Sequence, residues 1–317
     1  MRILFWGTPD FALPPLRALL GEGYEVVGVV TQPDRPAGRG RKLRPSPVKA
    51  LALEEGIPVL TPERPRGPDF MAEMEALAPD LSVVVAYGHI LRPEVLELPP
   101  LGSLNIHASL LPELRGAAPI HAAIVRGHPL TGITLMRMSE GMDEGPILLQ
   151  RTLPISEEDT LSGLTLRLSE LGAEALLETL ALLEELEPRE QDHARATYAP
   201  RIHREDARID WTLSARQVAD HVRGMDAVPG AWTAWVDGTD DPDDPDGPDR
   251  TDPDGAPLKL FSPRVVSRPA GTGDAAPGTR IGEPFVVATG EGGAVAFDEV
   301  QPAGKRRMPA EAWARGR

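Results

Sequence analysis

The stretch Gly102–Gln150, GSLNIHASLLPELRGAAPIHAAIVRGHPLTGITLMRMSEGMDEGPILLQ, decides how this chain reads. It opens on a strand-like run, Leu104–His107, passes through a helical pattern at Ile120–Arg126 and returns to an apolar run at Ile133–Met138. Side chains alternate across a strand, so Leu104 and Ile106 are expected on one face, Asn105 and His107 on the other. The apolar pair then packs into a core, while an amide and an imidazole look together into a cleft. Asp143 follows on a tight Gly141-Met142-Asp143-Glu144-Gly145 turn. An amide donor, a proton carrier and an orienting carboxylate suit acyl-type transfer, where an oxyanion is held and protons are moved.

The same alternation extends outward from this stretch. Ile3–Trp6, Val26–Thr31 and Leu81–Tyr87 read as further strands, and Leu13–Leu20, Val48–Glu55 and Asp69–Leu77 as helices. Strands alternating with helices predict an α/β fold with an open, mostly parallel sheet covered on both faces. A longer helical pattern spans Leu161–Leu186 and stops at Pro188, after which the polar stretch to Pro200 reads as a linker. Beyond Trp211 the texture changes. An amphipathic helix at Ala215–Arg223 precedes short strands at Ala231–Val236, Leu258–Phe261, Pro284–Ala288 and Ala294–Val300, the pattern of a small β-barrel or sandwich. The expected division is a first domain at 1–188, a linker at 189–205 and a second domain at 206–317.

At 317 residues the chain has room for two cores. No apolar run reaches membrane-spanning length, and the apolar part of Met1–Gly7 is too short for a secretion signal, so a buried first strand is expected there. Cysteine is absent, which removes disulfides, thiolate metal sites and cysteine nucleophiles and fits a reducing cytoplasm. The net charge of −15 argues against a chain that is basic all over. Nine aspartates between Asp237 and Asp254, against Arg250, supply −8 of it in a Pro- and Gly-rich insertion. Such a segment, 237–256, is expected to be disordered.

Two basic runs stand against that acidity. Arg35, Arg39, Arg41, Lys42 and Arg44 share a loop broken by Pro36, Gly38 and Gly40, a flexible arrangement suited to gripping phosphates. Lys305-Arg306-Arg307 forms a second, shorter cluster. No metal is expected. There is no His-Glu-x-x-His, Walker or cysteine motif, and His121 and His128 lie about 10 Å apart if helical. Gly7-Thr8-Pro9 lacks the glycine fingerprint of nicotinamide-binding turns.

Asn105-x-His107 on a strand with a later Asp143 resembles the 10-formyltetrahydrofolate-dependent formyltransferases. Phe5–Ala12, Thr31–Leu43, Ser109–Pro112, Arg115–Ile120, Ala207–Trp211 and Val300–Lys305 extend the likeness over nearly the whole chain, toward the branch acting on charged initiator tRNA. The resemblance implies a Rossmann-like core followed by an OB-like β-barrel. It implies Asn105, His107 and Asp143 as catalytic groups, and Ser109, Leu110, Leu111 and Pro112 as the folate-binding segment. 10-Formyltetrahydrofolate would be the donor, and initiator Met-tRNA the partner. The Arg35–Arg44 loop would meet the acceptor stem, with Lys305 and Arg306 adding to a basic face, and a monomer is expected. One departure stands out: Arg223–Trp232 lacks the aromatic-Asn-Pro run usual in the family, so no role attached to that run transfers. The rival readings are a formyltransferase for a small amine, a folate hydrolase, and an RNA-binding module on an inactive core.

Overall fold

The computed structural model describes residues 1–37, 42–236, 250–251 and 255–315. Two compact units divide the chain. The first holds Met1–Pro119, Leu130–Pro154 and Leu164–Pro200, the second Ile120–Pro129, Ile155–Gly163 and Arg201–Arg317. From the start the order is β1 (Arg2–Gly7), α1 (Leu13–Gly21), β2 (Glu25–Val30), β3 (Arg35–Ala37), β4 (Lys42–Arg44), α2 (Pro47–Glu54), β5 (Val59–Leu60) and α3 (Pro68–Leu77). Then come β6 (Leu81–Val85), α4 (Pro93–Leu96), β7 (Ser103–His107), α5 (Pro119–Val125), β8 (Leu130–Arg137), β9 (Ile147–Pro154) and α6 (Leu161–Ala181).

The first unit is built on one sheet in the order β5-β2-β1-β6-β7-β8-β9. Pairings from β5 to β7 are parallel, and β8 and β9 are antiparallel. β6 is buried along its whole length, as expected of a parallel strand covered on both faces, which is why its apolar residues run on without alternating. Proline opens α1, α2, α3 and α4 at their first turns, where its missing N–H costs nothing. The Ser46 hydroxyl caps α2 by accepting from the Lys49 amide at 3.0 Å.

Several elements differ from the sequence expectation. Strand β9 was not anticipated, since its apolar opening Ile147-Leu148-Leu149 is only three residues long and gives way to Gln150-Arg151-Thr152 without a clean period. The helix expected to Leu186 ends at Ala181 and continues as turns. Rather than a structureless loop, the flanks of the basic run form an antiparallel ribbon, with Arg35 opposite Arg44 and Ala37 opposite Lys42. Residues 189–200 pack with the first unit: Arg189 bridges Ile147, and Tyr198 bridges Arg115.

In the second unit the chain runs α7 (Ala215–Gly224), β10 (Trp232–Val236), β11 (Arg250–Thr251), β12 (Ala256–Val266), β13 (Arg280–Gly282), β14 (Val286–Ala288), β15 (Ala294–Pro302), β16 (Met308–Pro309) and α8 (Ala310–Ala314). The strands form an antiparallel sheet ordered β11-β10-β12-β15-β14-β13, with β16 beside β15. Trp211, Val218, Val222, Trp235, Leu260, Phe285 and Phe297 share its core. Ser214 and Gln217 close a reciprocal capping box on α7. Within the acidic insertion, Arg250 and Thr251 pair with Val236 and Trp235; most of the insertion lies outside the described residues.

Candidate active site

Strand β7 sets the first two groups. Leu104 and Ile106 are buried, and Ile106 lies on the side of α6, close to Gly172. Period two then turns Asn105 and His107 to the opposite face. The His107 ring is 6% exposed, and its Nε2 lies 3.0 Å from the Leu114 carbonyl oxygen. A carbonyl only accepts, so Nε2 carries the proton and donates. That leaves Nδ1 without this proton, 3.6 Å from Asp143 Oδ2. This is longer than a hydrogen bond, and it becomes a charge contact only when the ring carries a second proton.

Asp143 adopts a left-handed backbone at φ +53°, and its Oδ2 accepts the Gly116 amide at 2.8 Å. Gly116 itself has φ +111°, and a Cβ there would stand 2.7 Å from the Ala199 carbonyl oxygen. Glycine is therefore required where this amide reaches the carboxylate. Asn105 Nδ2 donates to the Val84 carbonyl at 3.2 Å, which uses one of its two N–H groups. Its Oδ1 is buried with no hydrogen-bond partner among the described residues.

Ser109–Pro112 is already well satisfied internally. Ser109 O accepts from Thr134 Oγ1 at 2.7 Å and Leu111 O from Gln150 Nε2 at 3.0 Å. Leu110 O accepts from the Glu113 amide, and Pro112 O from that of Thr197. Ser109 Oγ donates to Glu113 O at 2.6 Å. A ligand here meets second lone pairs on these carbonyls rather than empty ones.

The basic residues separate by environment. Arg35 and Arg44 are exposed on the ribbon, and Arg35 Nη2 donates to Gln32 Oε1 at 3.1 Å. Arg39, Arg41 and the Lys42 side chain lie outside the described residues. Lys305 and Arg306 are exposed after β15. Arg307 is committed within its own unit, bonded to Asp226 at 3.0 Å, paired with Glu299 and stacked 4.0 Å over the Phe261 ring. The departing run Arg223–Trp232 supplies this clasp through Asp226, which is 6% exposed.

Sequence reasoning gave no role to four buried groups, Gln32, Tyr87, Arg115 and Gln191. Gln32 donates to Tyr87 O at 3.2 Å and lies 3.2 Å from His89 Nε2, so His89 is tied to the base of the basic ribbon. Burial pushes the Tyr87 phenol up to about 12, and its oxygen is buried with no hydrogen-bond partner among the described residues. Arg115 and Gln191 are the others. Arg115 sat inside the family-like run without a role, and Gln191 lay in a polar stretch that gave no signal.

A three-residue strand face and one glycine turn thus bring an imidazole and a carboxylate together beside a half-committed amide, on a mostly parallel α/β sheet. The chain matches the formyl transferase model over residues 1–180 and the formyl transferase C-terminal domain over residues 201–317; it belongs to the formyl transferase family. Within that family it groups with methionyl-tRNA formyltransferases. That of Roseiflexus sp. (strain RS-1) is 46% identical over 321 residues, covering 100% of this chain and 92% of the relative. That of Bacillus subtilis (strain 168) is 43% identical over 320 residues, covering 99% of this chain and 94% of the relative. Among solved structures, methionyl-tRNA formyltransferase from Clostridium thermocellum superposes with a TM-score of 0.58 at 15% identity, covering 95% of this chain and 98% of that one. HypX from Aquifex aeolicus in complex with tetrahydrofolic acid gives 0.65 at 21% identity, covering 99% of this chain and 46% of that one. At these identities the structures speak for the fold. Among the described residues no helix is long and apolar enough to cross a membrane, and no cluster of metal-ligating side chains occurs.

Proposed function

We propose that this chain transfers the formyl group of 10-formyltetrahydrofolate to the α-amino group of methionine on charged initiator tRNA. The observation that carries the chemistry is the His107–Asp143 contact at 3.6 Å, with Nε2 already committed to Leu114 O. All proton traffic on the ring therefore passes through Nδ1. A proton taken there from the attacking amine sits against the Asp143 carboxylate, and can be returned to the departing nitrogen. Asn105 keeps one N–H for the developing oxyanion. Its orphaned Oδ1 leaves a buried acceptor unsatisfied, which costs roughly 1–3 kcal/mol until a donor arrives; an amine or a ligand N–H supplies one. The folate donor contributes an activated one-carbon acyl group. The unpartnered Asn105 Oδ1 supports placing it here, with Ser109–Pro112 as the proposed folate-binding segment.

For the acceptor, the full-length likeness to methionyl-tRNA formyltransferases supports the tRNA reading over a small amine. The ribbon adds a physical reason. Arg35 and Arg44 oppose each other across β3 and β4, and like charges in that register repel. A phosphate between or beside them relieves the repulsion. Lys305 and Arg306 are proposed as a further contact. A monomer acting in the cytoplasm is proposed.

The test offers charged initiator Met-tRNA, charged elongator Met-tRNA and glycinamide ribonucleotide separately, with labelled 10-formyltetrahydrofolate. Transfer to the initiator alone is expected. Transfer to the small amine, or deformylation without an acceptor, would overturn the tRNA reading and leave the catalytic groups standing.

A further inference from the structure

We propose that Gln191 is a positioning residue for Asp143 and that buried Arg115 fixes Gln191 in its working orientation. The inference rests on the function proposed above and concerns how its carboxylate is held.

Asp143 needs outside support, because a non-glycine residue in the left-handed region costs roughly 1–3 kcal/mol. Gln191 Nε2 provides it by donating to the Asp143 carbonyl at 2.9 Å and the Gly145 carbonyl at 2.7 Å. Both amide hydrogens are thereby spent on the turn. On the other side, Gln191 Oε1 accepts from Arg115 Nε at 3.2 Å and Nη2 at 2.7 Å. Carbonyls only accept and a guanidinium only donates, so a flipped amide would face acceptors with acceptors and donors with donors. Gln191 has one satisfied orientation. Its burial at 5% exposure, and that of Arg115 at 1%, removes water as a substitute partner.

Arg115 is fixed in turn. Its backbone donates to Thr197 O at 2.9 Å and accepts from the Ala199 amide at 2.7 Å. Nη1 meets Glu144 at 3.3 Å, and Nη2 donates to His193 Nδ1 at 3.2 Å. Its chain neighbours complete the arrangement. Leu114 O holds His107 Nε2, and the Gly116 amide holds Asp143 Oδ2. Three consecutive residues therefore register the imidazole against the carboxylate, and Gln191 pins the backbone beneath that carboxylate. Neither Gln191 nor Arg115 has to touch substrate to do this.

The experiment is a double-mutant cycle on formyl transfer to charged initiator tRNA. It combines Gln191→Met and, separately, Gln191→Asn with Asp143→Asn, with a thermal melt for every variant. Each single Gln191 variant is expected to lose about 10–100-fold in kcat, the scale of a sub-ångström to ångström misplacement. KM for both substrates should hold within about two-fold, and the pH profile of kcat should change in shape. In the Asp143→Asn background the same substitutions should cost less than about two-fold, because the group they position is gone. A kcat within about two-fold of wild type in a folded Gln191 variant overturns the inference. So does an equal loss in both backgrounds, the mark of a general packing role. If Gln191→Met fails to fold, Gln191→Asn keeps the polarity and carries the cycle. Full turnover by Asp143→Asn alone removes the catalytic reading and this inference with it, whereas a silent Gln191 beside an inactive Asp143→Asn overturns the inference alone.

Discussion

Replacing Gly145 by alanine would place a Cβ 1.8 Å from the Arg137 carbonyl oxygen and 3.0 Å from its carbon. Real Cβ contacts essentially never fall below 3.0 Å, so one backbone must move by about 1.2 Å. Arg137 is the less free of the two, since it closes β8 and its amide donates to Pro146 O. The turn gives way instead, and with it the Gly145 carbonyl held by Gln191 and the Asp143 carboxylate two residues earlier. A displacement near 1 Å at a reacting group costs about 10²-fold in rate, and overpacking costs about 1–3 kcal/mol of stability. Gly145→Ala is expected to lower kcat for initiator tRNA about 100-fold, with a lower Tm. Gly273→Ala, which meets nothing within 4 Å, is the control and should behave as wild type. A Gly145→Ala protein with depressed Tm but kcat within about threefold of wild type would refute the coupling between this turn and the chemistry.

Asn105→Ala and Asp143→Asn should each cost at least about 10²-fold in kcat, measured on purified folded protein; near-normal turnover removes that residue from the mechanism. Neutralising Arg41 and Lys42 together should weaken tRNA use and flatten its salt dependence by about one unit of slope per lost phosphate contact, with folate KM unchanged; an unaltered salt slope counts against the ribbon. His221 is held below its ordinary value of 6.5 chiefly by burial, against an opposing backbone bond to Ala207. With the folded value the lower one, the unfolded chain binds the proton first. Stability is complete above about pH 6.5 and declines as pH falls below it, by at most about 1.4 kcal/mol per pH unit for one group. Thermal melts from pH 7.5 to 5.5 should show a shallower decline for His221→Gln, and identical slopes would refute the assignment.

Five of the seven strands of the first sheet, β1, β2, β6, β7 and β8, were legible from their apolar residues, whereas β9 and the two-residue β5 were not. Where the period was weak, legibility failed. Residues 35–44 offer Leu43 as their only large apolar side chain, so the ribbon is held by backbone pairing that no hydropathy pattern announces. Strand β12 was expected to stop at Phe261, and Ser262-Pro263 follows there. Ser262 does leave the pairing, with φ +50°, yet Pro263 resumes it opposite Phe297. Beyond Lys259 the strand has β15 as its neighbour and no longer β10, and a proline is tolerated at such an edge. In the site, period two alone put Asn105 and His107 on one face of β7, while the role proposed for them rested on the family resemblance. Their supports were not legible, since the Leu114 carbonyl and the Gly116 amide are backbone groups, and Gln191 is brought in by chain folding from more than forty residues away.

Connections between antiparallel strands are ordinarily where a protein best tolerates insertions and length variation. The link from β8 to β9 is an exception, because Asp143 hangs from it by bonds to Gly116 and Gln191. One residue more or less would carry the carboxylate out of register while leaving both strands intact. Anyone splicing a tag or a sensor into this chain should pass over that hairpin and use the turn around Gly271 and Gly273, whose surroundings are open.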